Sequence, residues 1–346
     1  MAKQEPAPGS RPRVDDRKLW DVVMAVAGYP MVLAARQMKL FELLGEKPLT
    51  LDEVCATKHI ARRPALAVLA ICASLGLIAL RDGRYALTEV AEDYLLPSSP
   101  TYFGWLYDVW TPLVGVFTPE TLLKAVTTDR PQGPFADPVG AFGEWYVEQA
   151  TNFIRAMHSV SVGPSLEWPR RVDLSRNRML LDVGGGSAVH SIGALTVWPN
   201  LKATIMDQPA VCELARHFAA QQGVADRIAT QAGNFFEDPF PAADLHFYSQ
   251  IFHDWPADRC RFLARKSFEN LPAGGRIIVH EVLLNDDLTG PFAAAALNVT
   301  MLIAAPPGAE QLSGRQIREM LEGAGFGAIE VIPSFGYWSI VTGVKP

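Results

Sequence analysis

Four side chains in the C-terminal half of the sequence, Asp182, Asp207, His253 and Glu281, each stand where a short apolar run ends. Their types suit the holding of a cation and the removal of a proton. Residues 179–188 read MLLDVGGGSA, a strand pattern that closes on Asp182 and runs into Gly184, Gly185 and Gly186. Three glycines remove every β-carbon where the chain must turn and a ligand could approach the backbone. A dinucleotide fingerprint requires another glycine three residues after Gly186, and Val189 stands there, which argues against hydride transfer. An acid ahead of the glycines repels a phosphate and attracts an ammonium or a sulfonium. S-adenosylmethionine (SAM) carries both cations. Residues 202–207 form a second strand-like run, and Asp207, 23 residues beyond Gly184, suits a pair of ribose hydroxyls. It would equally suit the cap of a helix beginning near Pro209, and the residues alone leave both open.

His253 lies in IFHDWP, directly after a further strand-like run, where a loop would overhang such a ligand. An imidazole there can take a proton near neutral pH, unless it merely bonds Asp254 at the cap of a helix starting at Pro256. Glu281, 28 residues later, ends the next strand, and neighbouring strands about 5 Å apart would bring its carboxylate to the imidazole. Such a carboxylate fixes the tautomer and favours the charged form. His280 points to the opposite face under strict alternation.

These positions require a frame, and the periodicity supplies one: helix 189–198, strand 202–207, helix 210–221, strands 227–232 and 244–250, helix 257–270 and strand 276–284. A last helix near Gly323 precedes two strands that could pair as a hairpin. Regular alternation predicts a doubly wound α/β sheet whose ligands bind beyond the carboxyl ends of the strands. Upstream, residues 15–61 carry helical stripes, and 51–87 read as helix, turn, helix and β-wing, with Asp82-Gly83 as the hairpin turn. A winged helix raises DNA binding, yet its second helix, PALAVLAICASLG, has almost nothing polar to read base edges, so a packing or dimer-forming unit is the expectation. Between them, 101–168 holds Trp105, Trp110, Trp145, Trp168, Phe103, Tyr107, Phe117, Phe135, Phe142, Tyr146, Phe153 and Met157, a density that suits either an apolar pocket or a domain joint. The domains expected are a disordered tail at 1–14, a dimerisation domain at 15–100, a helical linker at 101–178 with a polar hinge from Trp168 to Asn177, and a ligand-binding domain at 179–346.

The 346-residue chain has a net charge of −6 and a pI near 5.7, which offers nucleic acid or an anionic membrane no overall attraction. No uninterrupted apolar run of about 18 residues is visible, so no membrane span is expected. Cys55, Cys72, Cys212 and Cys260 show no metal-ligand spacing, which points to reduced thiols, a cytoplasmic setting and no metal.

Together, Asp182-Val183-Gly184-Gly185-Gly186-Ser187, Asp207-Gln208-Pro209, Gly233-Asn234-Phe235-Phe236, His253-Asp254-Trp255, Leu271-Pro272-Ala273-Gly274-Gly275-Arg276 and Ala324-Gly325-Phe326 resemble the SAM-dependent O-methyltransferases of the plant caffeate type. They look closest to the bacterial branch that tailors polyketides, phenazines and other aromatic metabolites. The resemblance covers nearly the whole chain. It implies a Rossmann-like class I methyltransferase domain with a seven-stranded sheet, an N-terminal winged-helix region that interlocks in a homodimer, and a small aromatic acceptor held between them. By position, Asp182, Gly184 and Gly186 would flank the methionine part of SAM, Asp207 the ribose, and Asn234 and Phe235 the adenine, with Ser249 and Gln250 beside them. His253 would be the general base, supported by Glu281 and Gln311. Trp105, Phe153, Met157, Asp254, Asn298 and Met301 would face the acceptor, a phenol attacking the methyl carbon in line with the sulfur. Three departures stand out. Asn234 replaces Asp, keeping an amide oxygen for the adenine amino group; Ser249 replaces a frequent lysine; and Gln311, next to Glu310, replaces a second acid. Rival functions are a C- or N-methyltransferase, or another SAM-dependent relative, on the same fold and, more remotely, a small-molecule-sensing DNA-binding regulator.

Overall fold

The computed structural model describes residues 12–133 and 147–346. Most of the expected tail, and Phe135, Phe142, Trp145 and Tyr146 of the aromatic stretch, lie outside the described residues. The chain divides into two compact units, Met1–Tyr102 and Phe103–Pro346.

The first unit contains α1 (Arg17–Gln37), α2 (Leu40–Glu46), α3 (Leu51–Lys58), α4 (Arg62–Ser74), strands β1 (Ile78–Arg81) and β2 (Arg84–Leu87), and α5 (Glu89–Leu95). Thr50 and Glu53 close a reciprocal capping box at the start of α3. On α4, Ala65, Val68, Leu69 and Cys72 recur at helical spacing and are buried, so this helix spends its apolar face on its own unit. The wing forms as expected: Ile78 pairs Leu87 and Arg81 pairs Arg84, with Asp82 and Gly83 both at positive φ in the turn. Helix α1 is different. Its C-terminal half buries Val32, Leu33 and Ala35, whereas Leu19 (69 % exposed), Val22, Val23 and Val26 (75 %) stay largely exposed among the described residues. Asp21 interrupts this apolar stretch, so α1 holds no unbroken apolar run, yet its 21 residues are long and apolar enough on average to cross a membrane.

The second unit opens with α6 (Gly104–Trp110), α7 (Pro119–Thr128) and α8 (Val147–Arg171), and continues as β3 (Met179–Val183), α9 (Val189–Val197), β4 (Lys202–Asp207), α10 (Pro209–Gln221), β5 (Ile228–Ala232), β6 (Leu245–Ser249), α11 (Ala257–Asn270), β7 (Arg276–Val282), α12 (Phe292–Ala304), α13 (Gly314–Ala324), β8 (Gly327–Phe335) and β9 (Trp338–Val344). The seven-stranded sheet has the order β5-β4-β3-β6-β7-β9-β8. The strands β5 to β7 pair in parallel, and β9 and β8 join antiparallel as the expected hairpin. Strand order reverses at β3, which opens a crevice at the carboxyl ends of β3 and β6. Alternation along β3 sends Leu181 and Val183 into the apolar layer beneath α11 and α13, and Leu180 into the layer beneath α8 and α9.

The predicted hinge at Trp168–Asn177 is displaced by helix α8, which continues through Trp168 and Pro169 to Arg171. Trp168 is 0 % exposed and stacks on Phe247 at 4.4 Å, and the Trp198 indole N–H donates to the Pro169 carbonyl (2.9 Å). Burial of the indole outweighs the helix-ending signal of the proline. Pro169 also has no N–H to offer the Ser165 carbonyl, and Gly193 of α9 packs against it: a β-carbon at 193 would stand 2.1 Å from that oxygen.

Candidate active site

Gly184 and Gly186 adopt positive φ (69° and 57°), which lets the chain leave β3 and enter α9 in one sharp turn. A β-carbon at Gly184 would come within 2.3 Å of Ile251 Cδ1, and one at Gly185 within 2.7 Å of Asp182 Cγ. At Gly186 the nearest atom would be Ile154 Cδ1 at 3.7 Å, an ordinary van der Waals contact, so the positive φ and not crowding is what favours glycine there. The turn is tied to β4 twice: Gly184 N–H donates to the Met206 carbonyl (2.8 Å) and Gly186 N–H to Asp207 Oδ2 (3.0 Å). Asp207 Oδ1 accepts from Gln208 N–H (2.7 Å), and α10 begins without a side-chain cap, so Asp207 serves the turn rather than the helix. Each of its oxygens keeps acceptor capacity for a hydroxyl. Burial raises the Asp207 pKa above its ordinary value against the two N–H donors.

Asp182 sits beneath the turn, 1 % exposed, and its Oδ2 accepts from the Ser191 hydroxyl (2.7 Å). Burial pushes its pKa up to about 7, opposed by Ser191 and reinforced by Asp207. A cationic group above the turn would favour the ionised form of both acids. A side-chain-free cradle flanked by the buried Asp182 and the half-buried Asp207 therefore fits the methionine and ribose parts of SAM. Ser191 and His190 on α9 supply support that single-residue motifs did not reveal; Ser191 recurs nine residues after Asp182, but nothing in its type marks it.

Further along the strand ends the placement is more mixed. Asn234 Oδ1 accepts from Phe236 N–H (3.0 Å) and Asn234 N–H donates to Asp238 Oδ2 (2.8 Å), so the amide oxygen expected to meet adenine is already engaged in its own turn. The Phe235 carbonyl accepts from Lys266 Nζ (2.8 Å), fixing the ring near Gly184. Ser249 Oγ bonds His190 Nε2 (3.0 Å), and Gln250 takes a positive φ of 54° where the chain leaves β6.

On the opposite face of the sheet, His253 (9 % exposed) lies in a single 3-10 turn, Phe252–Asp254, after β6. Its Nδ1–H donates to Glu281 Oε2 at 2.6 Å. Glu281 is 1 % exposed, and its Oε1 accepts from Ile251 N–H (3.1 Å) and Phe252 N–H (3.0 Å), so one carboxylate holds both the ring and the turn beneath it. His280 faces the other side and bonds Ser334 Oγ (2.8 Å). Asp254 does not cap α11, whose N-cap is Pro256 with no side-chain cap bond; its Oδ1 lies 3.4 Å from His253 Nε2. Burial alone would lower the His253 pKa, but Glu281, then Asp254, outweigh it and raise it to about 9. Asp254 is itself pushed up to about 6 by burial, against the pull of His253.

Gln311 spends its hydrogen bonds elsewhere than on the base. Its side-chain N–H donates to the Val282 carbonyl and its backbone N–H to Asn298 Oδ1 (2.9 Å), while its buried Oε1 has no partner among the described residues. Asp254 is the acid that flanks Nε2 instead. Asn298 and Met301 on α12 line a cavity of about 360 Å³ with Arg130 and Glu310, within the range of small-molecule sites. Phe153 and Met157 are half-buried on α8, and the Trp105 ring lies 6.1 Å from that of His158 on the same helix.

Residues 120–327 match the model of the O-methyltransferase domain family. Over 319 residues the chain is 34 % identical to 3-hydroxy-5-methyl-1-naphthoate 3-O-methyltransferase of Streptomyces sahachiroi, covering 90 % of each protein. It is 29 % identical to acetylserotonin O-methyltransferase of Bos taurus, covering 86 % of this chain and 88 % of that protein. Among solved structures, human N-acetylserotonin methyltransferase in complex with SAM superposes with a TM-score of 0.79 at 25 % identity, covering 100 % of this chain and 99 % of the other. With the turn, the acids and the imidazole in these places, the chain belongs to the SAM-dependent O-methyltransferase family, in its bacterial secondary-metabolite branch.

Proposed function

We propose that this enzyme methylates a phenolic hydroxyl of a small aromatic acceptor and that His253 takes the hydroxyl proton. The buried His253–Glu281 pair carries the proposal: at 2.6 Å the carboxylate commits Nδ1 and leaves Nε2, beside Asp254, for the acceptor. SAM, held by the Gly184–Gly186 turn, Asp207 and the Asn234–Phe235 segment, supplies an already activated methyl group. What remains for the chain is alignment and proton removal. An imidazole with a pKa of about 9 nearly matches a phenol at about 10, so the proton moves between them at little cost. Glu281 favours the imidazolium that results, and Asp254 can bond a second acceptor oxygen. In this reading Asn298 and Met301, which line the cavity of about 360 Å³, face the acceptor from α12, and Phe153, Met157 and Trp105 face it from α8 and α6.

Incubation with SAM and a panel of phenols that includes a hydroxynaphthoate, read by mass spectrometry and NMR, should show a methyl ether. His253→Ala should lower turnover by about 10²–10⁴-fold while leaving the affinity for S-adenosylhomocysteine (SAH) nearly intact. Methylation at carbon or nitrogen, or undiminished turnover of His253→Ala on an unactivated phenol, would overturn the proposal. The same reading extends to a homodimer formed through α1, supported by the exposed row Leu19, Val22, Val23 and Val26.

A further inference from the structure

Helix α8 is fastened differently along its length. Its C-terminal half belongs to the core: Trp168 stacks on Phe247, Gly193 abuts the Ser165 carbonyl, and Gly163 lies so close to Phe335 that a β-carbon would meet the ring at 2.8 Å. Pro164 interrupts the helix ladder, since it has no N–H for the Val160 carbonyl, and a missing bond of this kind is where a helix bends most easily. Beyond it the N-terminal half carries Phe153 and Met157, the acceptor-side residues, and meets the cofactor turn at two places. Ile154, 6 % exposed, closes on Gly186, and His158 Nδ1 lies 2.9 Å from Ser187 Oγ. The His158 ring is stacked on Phe218 of α10 at 4.3 Å, and Trp105 approaches from α6. Ser187 directly follows the three glycines and is buried, so the bond to His158 ties α8 to the end of the turn.

We propose that His158 is a positioning residue: through Ser187 it latches the acceptor-side half of α8 to the cofactor turn, so that cofactor binding orders the acceptor wall. Burial pushes the His158 pKa down to about 4, so the latch is a neutral hydrogen bond that persists across the working pH range. Coupling of this kind needs an element with a flexible joint and a contact to each site, and α8 provides the three. The inference rests on the acceptor assignment for Phe153 and Met157, but its test does not use an acceptor.

Hydrogen exchange of residues 153–162 is followed with and without saturating SAH in the full-length protein. In the wild type SAH should slow exchange there by about ten-fold, whereas His158→Phe, which keeps the ring stack, and Ser187→Ala should lose most of that protection. Residues 165–171 should stay equally protected in every variant, which separates the loss of a latch from general unfolding. His158→Asn, whose amide can present an oxygen or an N–H to Ser187, should restore the SAH effect. Calorimetric SAH affinity should weaken by only about two- to five-fold in His158→Phe. Equal SAH-induced protection in wild type, His158→Phe and Ser187→Ala overturns the proposal, as does failure of His158→Asn to differ from His158→Phe. A chain that makes no phenol ether would still give one of these results.

Discussion

Glu281 commits both carboxylate oxygens, Oε1 to the Ile251 and Phe252 N–H groups and Oε2 to His253. Glu281→Gln retains an acceptor for the two backbone donors but removes the charge that raises the imidazole pKa. The base must be deprotonated to act, so the wild-type rate should climb with pH until about 9. In Glu281→Gln that limb should move to lower pH by about one unit or more while the fold persists, a shift that kcat/KM profiles on one phenol would register. An unmoved limb would remove Glu281 from the proton chemistry. Asp182 titrates with the opposite consequence. Its folded pKa of about 7 exceeds the ordinary carboxylate value, so the folded chain holds this proton more tightly than the unfolded one. Stability of the ligand-free protein should therefore fall as pH rises from about 4 to about 7. Because a cation above the turn offsets that loss, SAM should raise Tm more at pH 8 than at pH 5.5, and Asp182→Asn should flatten the difference in a thermal-shift assay. At this scale much was legible in the sequence: an acid before three glycines, an imidazole after a strand, a glutamate one strand over. The contact between Glu281 and the imidazole was legible as well; what was not was where the side chains of Asp254 and Gln311 settle. Asp254 turned to the imidazole and Gln311 to a backbone carbonyl, choices made by the approach of segments far apart in sequence.

Most strands and helices of the second unit follow from apolar periodicity, because the central strands β3, β6 and β7 are buried on both faces and the flanking helices on one. Two elements escaped it for opposite reasons. Helix α12, FAAAALNVTMLIA, is apolar nearly all round and shows no stripe. Helix α8 contains Pro164 and Pro169, which read as a break, but packing of Trp168 carries the helix on. Trp168→Ala should accordingly cost about 3–5 kcal/mol in chemical denaturation, the scale of a large cavity in a core that cannot collapse. A cost under about 1 kcal/mol would mean that the segment is the loose connection its prolines suggest.

For the molecule as a whole, the apolar row on α1 demands a cover. If that cover is a second copy, light scattering should give a dimer for the wild type, and Val23→Asp with Val26→Asp should give a monomer whose SAH affinity is unchanged. A monomeric wild type, or a double variant that stays dimeric, would send the α1 row to another role. Finally, the meeting of Gly193 with the Ser165 carbonyl has a practical reach. It leaves no room for a side chain at 193, so the rear of α8 and its neighbour must keep their residues, whereas Phe153 and Met157 lie half-buried ahead of Pro164. If those front positions face the acceptor as proposed, a library aimed at new rings should randomise them and leave the seam untouched.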